Sequence, residues 1–349
     1  MSVVIQRRFV LGEIMASEKY AIDLDSLNTN IYKLGSGLVL SEPTVATVSA
    51  DDRKQVKDVG DSAKKIIGKT TKNTKIVFPV FEGEIINEDV ASRMLSNFMD
   101  KVSEGSRLFG VTALFSVPCG SDFAMIEKVK RVAKNAGIKK CYFAESPILS
   151  ALGQRIPLSD STPFFVIDMA GGTTNIAAVT LDGVIAGLSV NFGANKITTD
   201  IIDYVAEKYS MQIGLLTAEN LKNEVGSLEN DDALSLVVNG RNINTGAPMA
   251  LSIRGMDILP AVKQYYDKIA EIAISVMSKL PPEVSAEIRH SGIYVSGVAS
   301  NMYGLERYYD DKFDMQINIA EDGKLSVALG GGVALGDTKL LEKICLNFD

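Results

Sequence analysis

Two aspartates, Asp23 and Asp168, stand at matching positions of an internal repeat. Residues 21–31 read AIDLDSLNTNI and residues 166–176 read VIDMAGGTTNI, so five of the eleven positions are identical. Ordinary composition would give about one such identity by chance. In each copy an apolar segment ends at the aspartate, and a turn of small polar residues follows. Because such a turn can aim several backbone N–H groups at one point, the repeat is typical of a site for phosphate oxygens.

The aspartates also suit the cation that accompanies phosphate groups. Mg²⁺ usually binds one or two carboxylates together with substrate phosphates, so we predict that Asp23 and Asp168 are metal-associated carboxylates. The simpler interpretation is that both hairpins are structural and both aspartates cap turns, but the matched duplication disfavours it. The predicted phosphate-contacting residues are Asp25, Ser26, Asn28 and Thr29 in the first turn and Gly171, Gly172, Thr173 and Thr174 in the second.

The elements around the two turns also occur twice. Apolar segments at 20–24, 30–34 and 38–40 predict a three-stranded meander, and segments at 164–169, 175–180 and 184–188 predict a second one. In both copies a strand, a helix, a further strand and a small-residue helix containing Ala-Leu-Gly follow. This order predicts an α/β protein of two similar domains that face each other.

The repeat also predicts the domain boundaries. We expect a first domain at 20–150 and a second at 151–349, each with a smaller inserted subdomain, at about 41–80 and about 191–255. Residues 1–19 form an N-terminal extension with three open interpretations. The extension is a disordered tail, an amphipathic membrane anchor, or the product of a wrongly chosen start codon, with Met15 as the true start.

Composition excludes several classes of protein. The 349 residues are 46% apolar and 23% charged, with a formal net charge of −7. No basic stripe occurs, so nucleic acid is not an expected partner. Cys119, Cys141 and Cys345 have no paired spacing and indicate reduced thiols of a cytosolic protein. His290 is the only histidine, which excludes a His-rich metal site.

Several segments carry a resemblance to a known family. They are SEPTVATVS at 41–49, IIGKT at 66–70, FEGEIINEDVA at 81–91, DMAGGTTNIAAVTLDGVIAG at 168–187 and NGRNINTGAP at 239–248. Together with the two hairpins, they make the chain resemble the MreB family of bacterial actins, within the actin/Hsp70/sugar-kinase superfamily, from about residue 20 to 340. The resemblance implies duplicated actin-like (RNase H-like) domains around a nucleotide cleft that holds ATP and Mg²⁺.

The resemblance further implies a cellular role. It implies head-to-tail filaments of this chain, alone or with MreB paralogues, in the cytoplasm against the inner face of the cell membrane, where they help set cell shape. Leu108 and Phe109 fall in the loop where the family carries a short hydrophobic pair that touches the membrane. The alternative is that both side chains fold back into the core.

Four more site residues follow from the resemblance. Glu219 and Lys222 match the residues that touch the ribose and the base, and they lie three positions apart on a predicted helix. The same spacing also suits a surface ion pair, which is the alternative. Ser296 and Gly297 begin the loop expected near adenine.

The sequence departs from the family pattern at residues that are expected to lie beside the nucleotide. Asp25 replaces a glycine of the first turn and adds a carboxylate near the phosphates, which costs free energy unless a metal ion or a lysine offsets it. Ala170 replaces a glycine of the second turn. Val298 and Ala299 replace glycines and add bulk where the base is expected.

The most consequential departure is Glu145-Ser146-Pro147, where the family usually has Glu-Glu-Pro. Ser146 occupies the position whose glutamate is expected to orient the attacking water, and Glu145 stands one residue earlier. Serine can hydrogen-bond water but is a poor general base. We therefore expect slow or absent ATP hydrolysis, with nucleotide binding retained but weakened.

Two alternatives come from other classes of protein. The chain could be a pseudo-ATPase that joins or regulates filaments of another MreB. It could also be a small-molecule kinase or an Hsp70-like chaperone of the same superfamily. We expect the latter less, because no peptide-binding domain follows the repeat and no acidic base facing a kinase substrate is identifiable.

Overall fold

The computed structural model describes residues 17–52, 55–103, 110–229 and 234–346. The elements of the first half are β1 (Glu18–Leu24), β2 (Asn28–Lys33), β3 (Gly37–Pro43), β4 (Ala46–Ser49), β5 (Val56–Val59), α1 (Asp61–Lys64), β6 (Thr74–Val77), β7 (Val80–Phe81), β8 (Glu84–Ile85), α2 (Glu88–Val102), β9 (Val111–Val117), α3 (Phe123–Asn135), β10 (Lys140–Glu145) and α4 (Ser146–Gly153).

The second half repeats much of this order. Its elements are β11 (Phe164–Met169), β12 (Thr174–Thr180), β13 (Gly183–Val190), α5 (Ala194–Tyr209), β14 (Met211–Gln212), α6 (Leu215–Val225), β15 (Ser235–Asn242), β16 (Pro248–Arg254), α7 (Gly255–Met277), α8 (Pro282–Ser291), β17 (Ile293–Ser296), α9 (Leu305–Phe313), β18 (Ile317–Ile319), a 3₁₀ turn (Gly323–Leu325), α10 (Ser326–Gly336) and α11 (Thr338–Ile344).

Two five-stranded sheets with equivalent topology form the frame of the described residues. The strand orders are β3-β2-β1-β9-β10 and β13-β12-β11-β17-β18. In each sheet the first three strands form an antiparallel meander and the remaining pairs are parallel. The central strands β11 and β12 are buried along their whole length, because helix α4 packs on both strands, α7 packs on β12 and α8 packs on β11.

Smaller sheets lie within the two stretches predicted as inserted subdomains. The order β5-β4-β6 lies beside α1 in the first half, and the order β14-β15-β16 lies beside α6 in the second half. Two helices of the first half begin at capping side chains. Asn87 accepts a hydrogen bond from the Val90 N–H at the start of α2, and Asp122 accepts one from the Met125 N–H at the start of α3.

The helices α4 and α10 pack against each other between the two large sheets. Helix α4 follows the first sheet in the chain yet packs on β11 and β12, whereas α10 comes from the end of the chain and packs on β1, β2 and β9. Glycines allow the close crossing, because a Cβ on Gly330 would lie 1.8 Å from the Leu149 carbonyl oxygen and a Cβ on Gly153 would lie 1.8 Å from that of Ser326. None of the helices in the described ranges has the length and hydropathy to cross a bilayer.

Candidate functional site

Asp23 lies near the end of β1 and is held by two neighbouring strands. Its Oδ1 accepts a hydrogen bond from the Ser116 hydroxyl of β9 at 2.8 Å, and its Oδ2 accepts one from the Asn30 amide of β2 at 3.3 Å. The antiparallel register places Asp23 directly opposite Asn30, so the sheet itself fixes the position of the carboxylate.

Asp168 has the same environment in the second half. Its Oδ1 accepts a hydrogen bond from the Ser296 hydroxyl of β17 at 2.9 Å, and its Oδ2 accepts one from the Asn175 amide of β12 at 3.3 Å. Asn175 lies opposite Asp168 in the register, as Asn30 lies opposite Asp23. The internal repeat therefore builds two equivalent Asp-Asn-Ser groups, one on each side of the cleft.

Both carboxylates bind protons more tightly than an ordinary aspartate. Burial raises the pKa of Asp23 to about 7, with further contributions from the charges of Asp25 and Asp168, while the Ser116 hydrogen bond opposes the rise. Burial also raises the pKa of Asp168 to about 6, against the hydrogen bonds from Ser296 and Asn175. Burial is the main cause for both carboxyl groups, and the negative charges of neighbouring carboxylates add to it.

Asp25 bridges the two hairpin turns. Its Oδ2 accepts hydrogen bonds from the Gly171 N–H at 2.8 Å and the Leu27 N–H at 3.2 Å, and its Oδ1 accepts one from the Gly172 N–H at 3.2 Å. Burial raises the pKa of Asp25, and hydrogen bonds from backbone N–H groups oppose the rise. The second turn thus binds an anionic group, and that group is a side chain of the first turn.

The cavity between the two aspartates is small. It has a volume of about 50 Å³, whereas pockets that hold small-molecule ligands measure roughly 300–1,000 Å³. The two turns therefore leave little space between the two aspartates. The cavity is lined by Asp23, Leu24, Asp25, Asn28, Asn30, Gly83, Ser116, Pro118, Ser146, Asp168, Ala170, Thr173, Asn175, Gly297, Val298, Gly323, Lys324 and Val327.

The other residues predicted in the two turns divide into two groups. Asn28 and Thr173 line the cavity, and the buried Ser26 hydroxyl accepts a hydrogen bond from the Gly83 N–H at the edge of the cleft. The structure does not bring the hydroxyls of Thr29 and Thr174 to the cavity. The Thr29 hydroxyl lies 2.9 Å from that of Thr44, and the Thr174 hydroxyl donates to the Phe192 carbonyl oxygen because alternate side chains of a strand face opposite sides.

Glu219 and Lys222 lie on α6 outside this cavity. The Glu219 carboxylate forms an ion pair with Lys64 of α1 at 2.7 Å, which links the small lobes of the two halves. Lys222 is 9% exposed and donates to the Thr198 hydroxyl at 3.0 Å and to the Ala194 carbonyl oxygen at 3.4 Å. Burial lowers the pKa of Lys222 to about 8. The two residues do not pair with each other as a surface ion pair would.

Ser146 and Glu145 lie at the junction of β10 and α4 and face different surroundings. The buried Ser146 lines the cavity, and its hydroxyl donates to the Val117 carbonyl oxygen at 3.0 Å. The Glu145 carboxylate accepts a hydrogen bond from the Gly120 N–H at 2.7 Å and is not among the residues that line the cavity. In this structure the Glu145 carboxylate therefore has different contacts from the Ser146 hydroxyl.

Ser296 and Gly297 lie beside Asp168 at the end of β17. Ser296 is a hydrogen-bond donor to the carboxylate, and Gly297 has a φ of +88°, with its N–H donating to the Gly323 carbonyl oxygen at 2.9 Å. Val298 lines the same cavity and packs against the core of the second half. Leu108 and Phe109, the predicted membrane pair, lie outside the described residues.

Four residues that contact the predicted site residues were not predicted from the sequence. Asn30 and Asn175 were visible in the repeat as the shared Thr-Asn-Ile, and only their function as partners of the aspartates was overlooked. Ser116 was detectable as the counterpart of Ser296 in the fourth repeated strand. No sequence pattern indicated Lys64, because the contact between α1 and α6 joins the two inserted subdomains, the small lobes, which are not part of the repeat.

Comparison with known proteins identifies the family. A family model described as MreB/Mbl protein matches residues 17–343. The chain belongs to the MreB/Mbl family. The cell shape-determining protein MreB of Escherichia coli (strain K12) is 32% identical to this chain over 326 residues, which are 92% of this chain and 94% of that protein. The cell shape-determining protein Mbl of Bacillus subtilis (strain 168) is 28% identical over 337 residues, or 94% and 99% of the two chains.

Solved structures agree with the MreB/Mbl assignment. The crystal structure of MreB5 of Spiroplasma citri bound to AMPPNP has a TM-score of 0.87 to this chain at 25% identity, covering 94% of this chain and 98% of that one. The MamK double helical filament has a TM-score of 0.77 at 17% identity, covering 92% and 99%, and supports the fold alone. The predicted family and the predicted two-domain, actin-like α/β fold are confirmed.

Proposed function

We propose that this chain binds a nucleotide, ATP or ADP, with Mg²⁺ in the cleft between its two sheets. One observation carries the proposal: Asp23 and Asp168, each held by a matching asparagine and serine, face one cavity between two turns of the kind that binds phosphate. MreB5 of Spiroplasma citri, a structural neighbour over nearly the whole chain, has been solved with AMPPNP and with ADP.

The donor set fits Mg²⁺. Neither Asp23 nor Asp168 has a lysine or arginine ion-pair partner in the part of the chain that the structure describes, so their buried charge favours a cation. Within the same residues no group of three or more His, Cys, Asp or Glu could hold a metal alone. Two carboxylates suit an ion that takes its other ligands from phosphate and water, and the ion would neutralise phosphate charge.

The chain is further proposed to form head-to-tail filaments in the cytoplasm that help set cell shape. Relatives at 28–32% identity are named for determining cell shape, and MamK has been solved as a double helical filament. We propose that the filaments lie on the inner face of the membrane and that Leu108 and Phe109, or the N-terminal extension, make the contact. If Leu108 and Phe109 make the contact, replacing both with serine is expected to abolish co-sedimentation with anionic liposomes, and unchanged co-sedimentation would assign the contact to the N-terminal extension.

We also propose that ATP hydrolysis is slow or absent. Ser146 lines the cavity where a glutamate is expected, and its hydroxyl proton is committed to a main-chain carbonyl oxygen. The second candidate function is therefore a pseudo-ATPase subunit that joins or regulates filaments of another MreB.

Three measurements on the purified chain test these proposals. Calorimetric titration with ADP and AMPPNP, each with and without Mg²⁺, is expected to give Mg²⁺-dependent binding that Asp168→Ala weakens. Pelleting and electron microscopy with and without nucleotide are expected to show filaments of this chain alone. Assembly only after addition of a second MreB would support the pseudo-ATPase candidate. The third measurement is a phosphate-release assay, in which ATP turnover comparable to that of an ordinary MreB would contradict slow hydrolysis.

A further inference from the structure

We propose that the Asp25 carboxylate is a built-in occupant of the second turn's phosphate site, so that a nucleotide phosphate binds there only by displacing it. The inference rests on the proposed nucleotide binding and assigns to Asp25 control over the affinity of that site. Asp25 would then act as an internal competitor of the nucleotide, in addition to being part of the first turn.

The hydrogen bonds of Asp25 have the chemistry of a phosphate site. Three backbone N–H groups, from Gly171, Gly172 and Leu27, donate to its two oxygens at 2.8–3.2 Å. Converging N–H groups of a turn bind anionic oxygens, and hydrogen bonds to a charged acceptor are stronger than neutral ones. The carboxylate thus supplies to the second turn the anionic oxygens that a phosphate would otherwise supply.

The space around Asp25 excludes simultaneous occupancy. A Cβ on Gly171 would lie 2.4 Å from Asp25 Oδ2 and 2.3 Å from the Leu27 Cβ, and a Cβ on Gly172 would lie 2.1 Å from the Ser26 Oγ. The tips of the two turns are therefore in contact. Because the Asp25 carboxylate already accepts the Gly171 and Gly172 N–H groups and the two turns touch, a phosphate reaches these N–H groups only if the first turn withdraws.

The competition has a definite consequence for affinity. When only a fraction of molecules has the competent arrangement, the apparent affinity falls by that fraction. Replacing Asp25 with glycine removes the competitor and the extra negative charge together. We therefore expect Asp25→Gly to bind Mg²⁺-ADP and Mg²⁺-AMPPNP at least about ten-fold more tightly than the original chain. Asp25→Asn keeps one acceptor oxygen, so its affinity for nucleotide should lie between those of the original chain and Asp25→Gly.

The first test is calorimetric titration of Mg²⁺-ADP and Mg²⁺-AMPPNP into the full chain and these two variants. The matched control is Asp337→Gly, because Asp337 also accepts two backbone N–H groups, from Lys339 and Leu340, but caps α11 outside the cleft. The control should leave nucleotide affinity unchanged. Equal or weaker binding by Asp25→Gly, relative to the original chain, would overturn the proposal.

The second test needs no nucleotide. Amide hydrogen exchange at Gly171 and Gly172 in the ligand-free chain should be slow, and Asp25→Gly should accelerate it at least about ten-fold while Asp337→Gly does not, since a hydrogen-bonded amide exchanges only on local opening. Unchanged exchange would refute the role of Asp25. If no variant binds nucleotide, the proposed function fails, and the exchange rates still decide whether Asp25 occupies the turn.

Discussion

The Lys64 ammonium lies 2.7 Å from the Glu219 carboxylate and joins the small lobe of the first half to the small lobe of the second. Both side chains are partly exposed, at 33% and 21%, so the ion pair contributes only about 0.2–1 kcal/mol to the free energy of unfolding. We expect its larger effect to be on the relative position of the small lobes, because it connects one lobe directly to the other.

Lys64→Ala is expected to open the cleft without unfolding the protein. Small-angle X-ray scattering should show a larger radius of gyration, and nucleotide should associate faster, while the melting temperature changes little. Glu219→Gln should open the cleft equally but bind nucleotide more weakly if the carboxylate also accepts ribose hydroxyls. The exchanged pair Lys64→Glu with Glu219→Lys is the control, and failure to restore the original radius would contradict the cross-cleft ion pair.

The stability of the ligand-free chain should decrease as pH rises from about 5 to 8. The folded pKa values of about 7 for Asp23 and about 6 for Asp168 lie above the unfolded value near 4, so the folded state binds more protons in this range. The stabilisation by these two protonated carboxyl groups is fully present below their pKa in the unfolded chain. It is lost as pH rises through their pKa values in the folded chain. Asp168→Asn should therefore raise the free energy of unfolding at pH 8 by about 1–3 kcal/mol.

Urea denaturation in the presence of a chelator, at several pH values, measures this effect. Asp168→Asn should flatten part of the pH dependence, whereas Asp310→Asn, at an exposed aspartate of α9, should leave the slope unchanged. A slope that Asp168→Asn leaves intact would show that other groups cause it.

Gly330→Ala should destabilise the crossing of α4 and α10. The added Cβ would lie 1.8 Å from the Leu149 carbonyl oxygen, so one helix must shift, at a cost of about 1–3 kcal/mol or more. Gly336→Ala in the same helix is the matched control, because the nearest atom to its Cβ would be Leu34 Cδ1 at 3.9 Å. Thermal denaturation should show a lower melting temperature for Gly330→Ala and little change for Gly336→Ala, and equal melting temperatures would argue against a tight crossing.

Ser146→Glu should increase ATP hydrolysis by about 10- to 100-fold if nucleotide enters the cleft, since a positioned carboxylate can orient and activate water. Phosphate release at saturating ATP measures the effect. Glu145→Gln is the matched control and should change phosphate release little, because that carboxylate accepts the Gly120 N–H instead of lining the cavity. A large loss on Glu145→Gln would instead assign water orientation to Glu145.

The sequence predicted the fold more completely than the site. The repeat placed Asp23 and Asp168 on equivalent strands because short-range register and strand order are encoded locally. The contact of Asp25 with Gly171 and Gly172 was not predictable, because it depends on how far the cleft closes. The partners of Glu219 and Lys222 were missed for a related reason: Lys64 and Thr198 come from elements without a counterpart in the repeat.

The packing of α10 on β1, β2 and β9 has a consequence for biosynthesis. These strands leave the ribosome long before α10 has been translated, so one face of the first sheet lacks its cover until nearly the whole chain has emerged. The N-terminal half is therefore expected to remain partly folded during translation, with exposed apolar surface that can bind chaperones or aggregate. The order of translation, rather than the stability of either half, would then limit how fast the native protein appears.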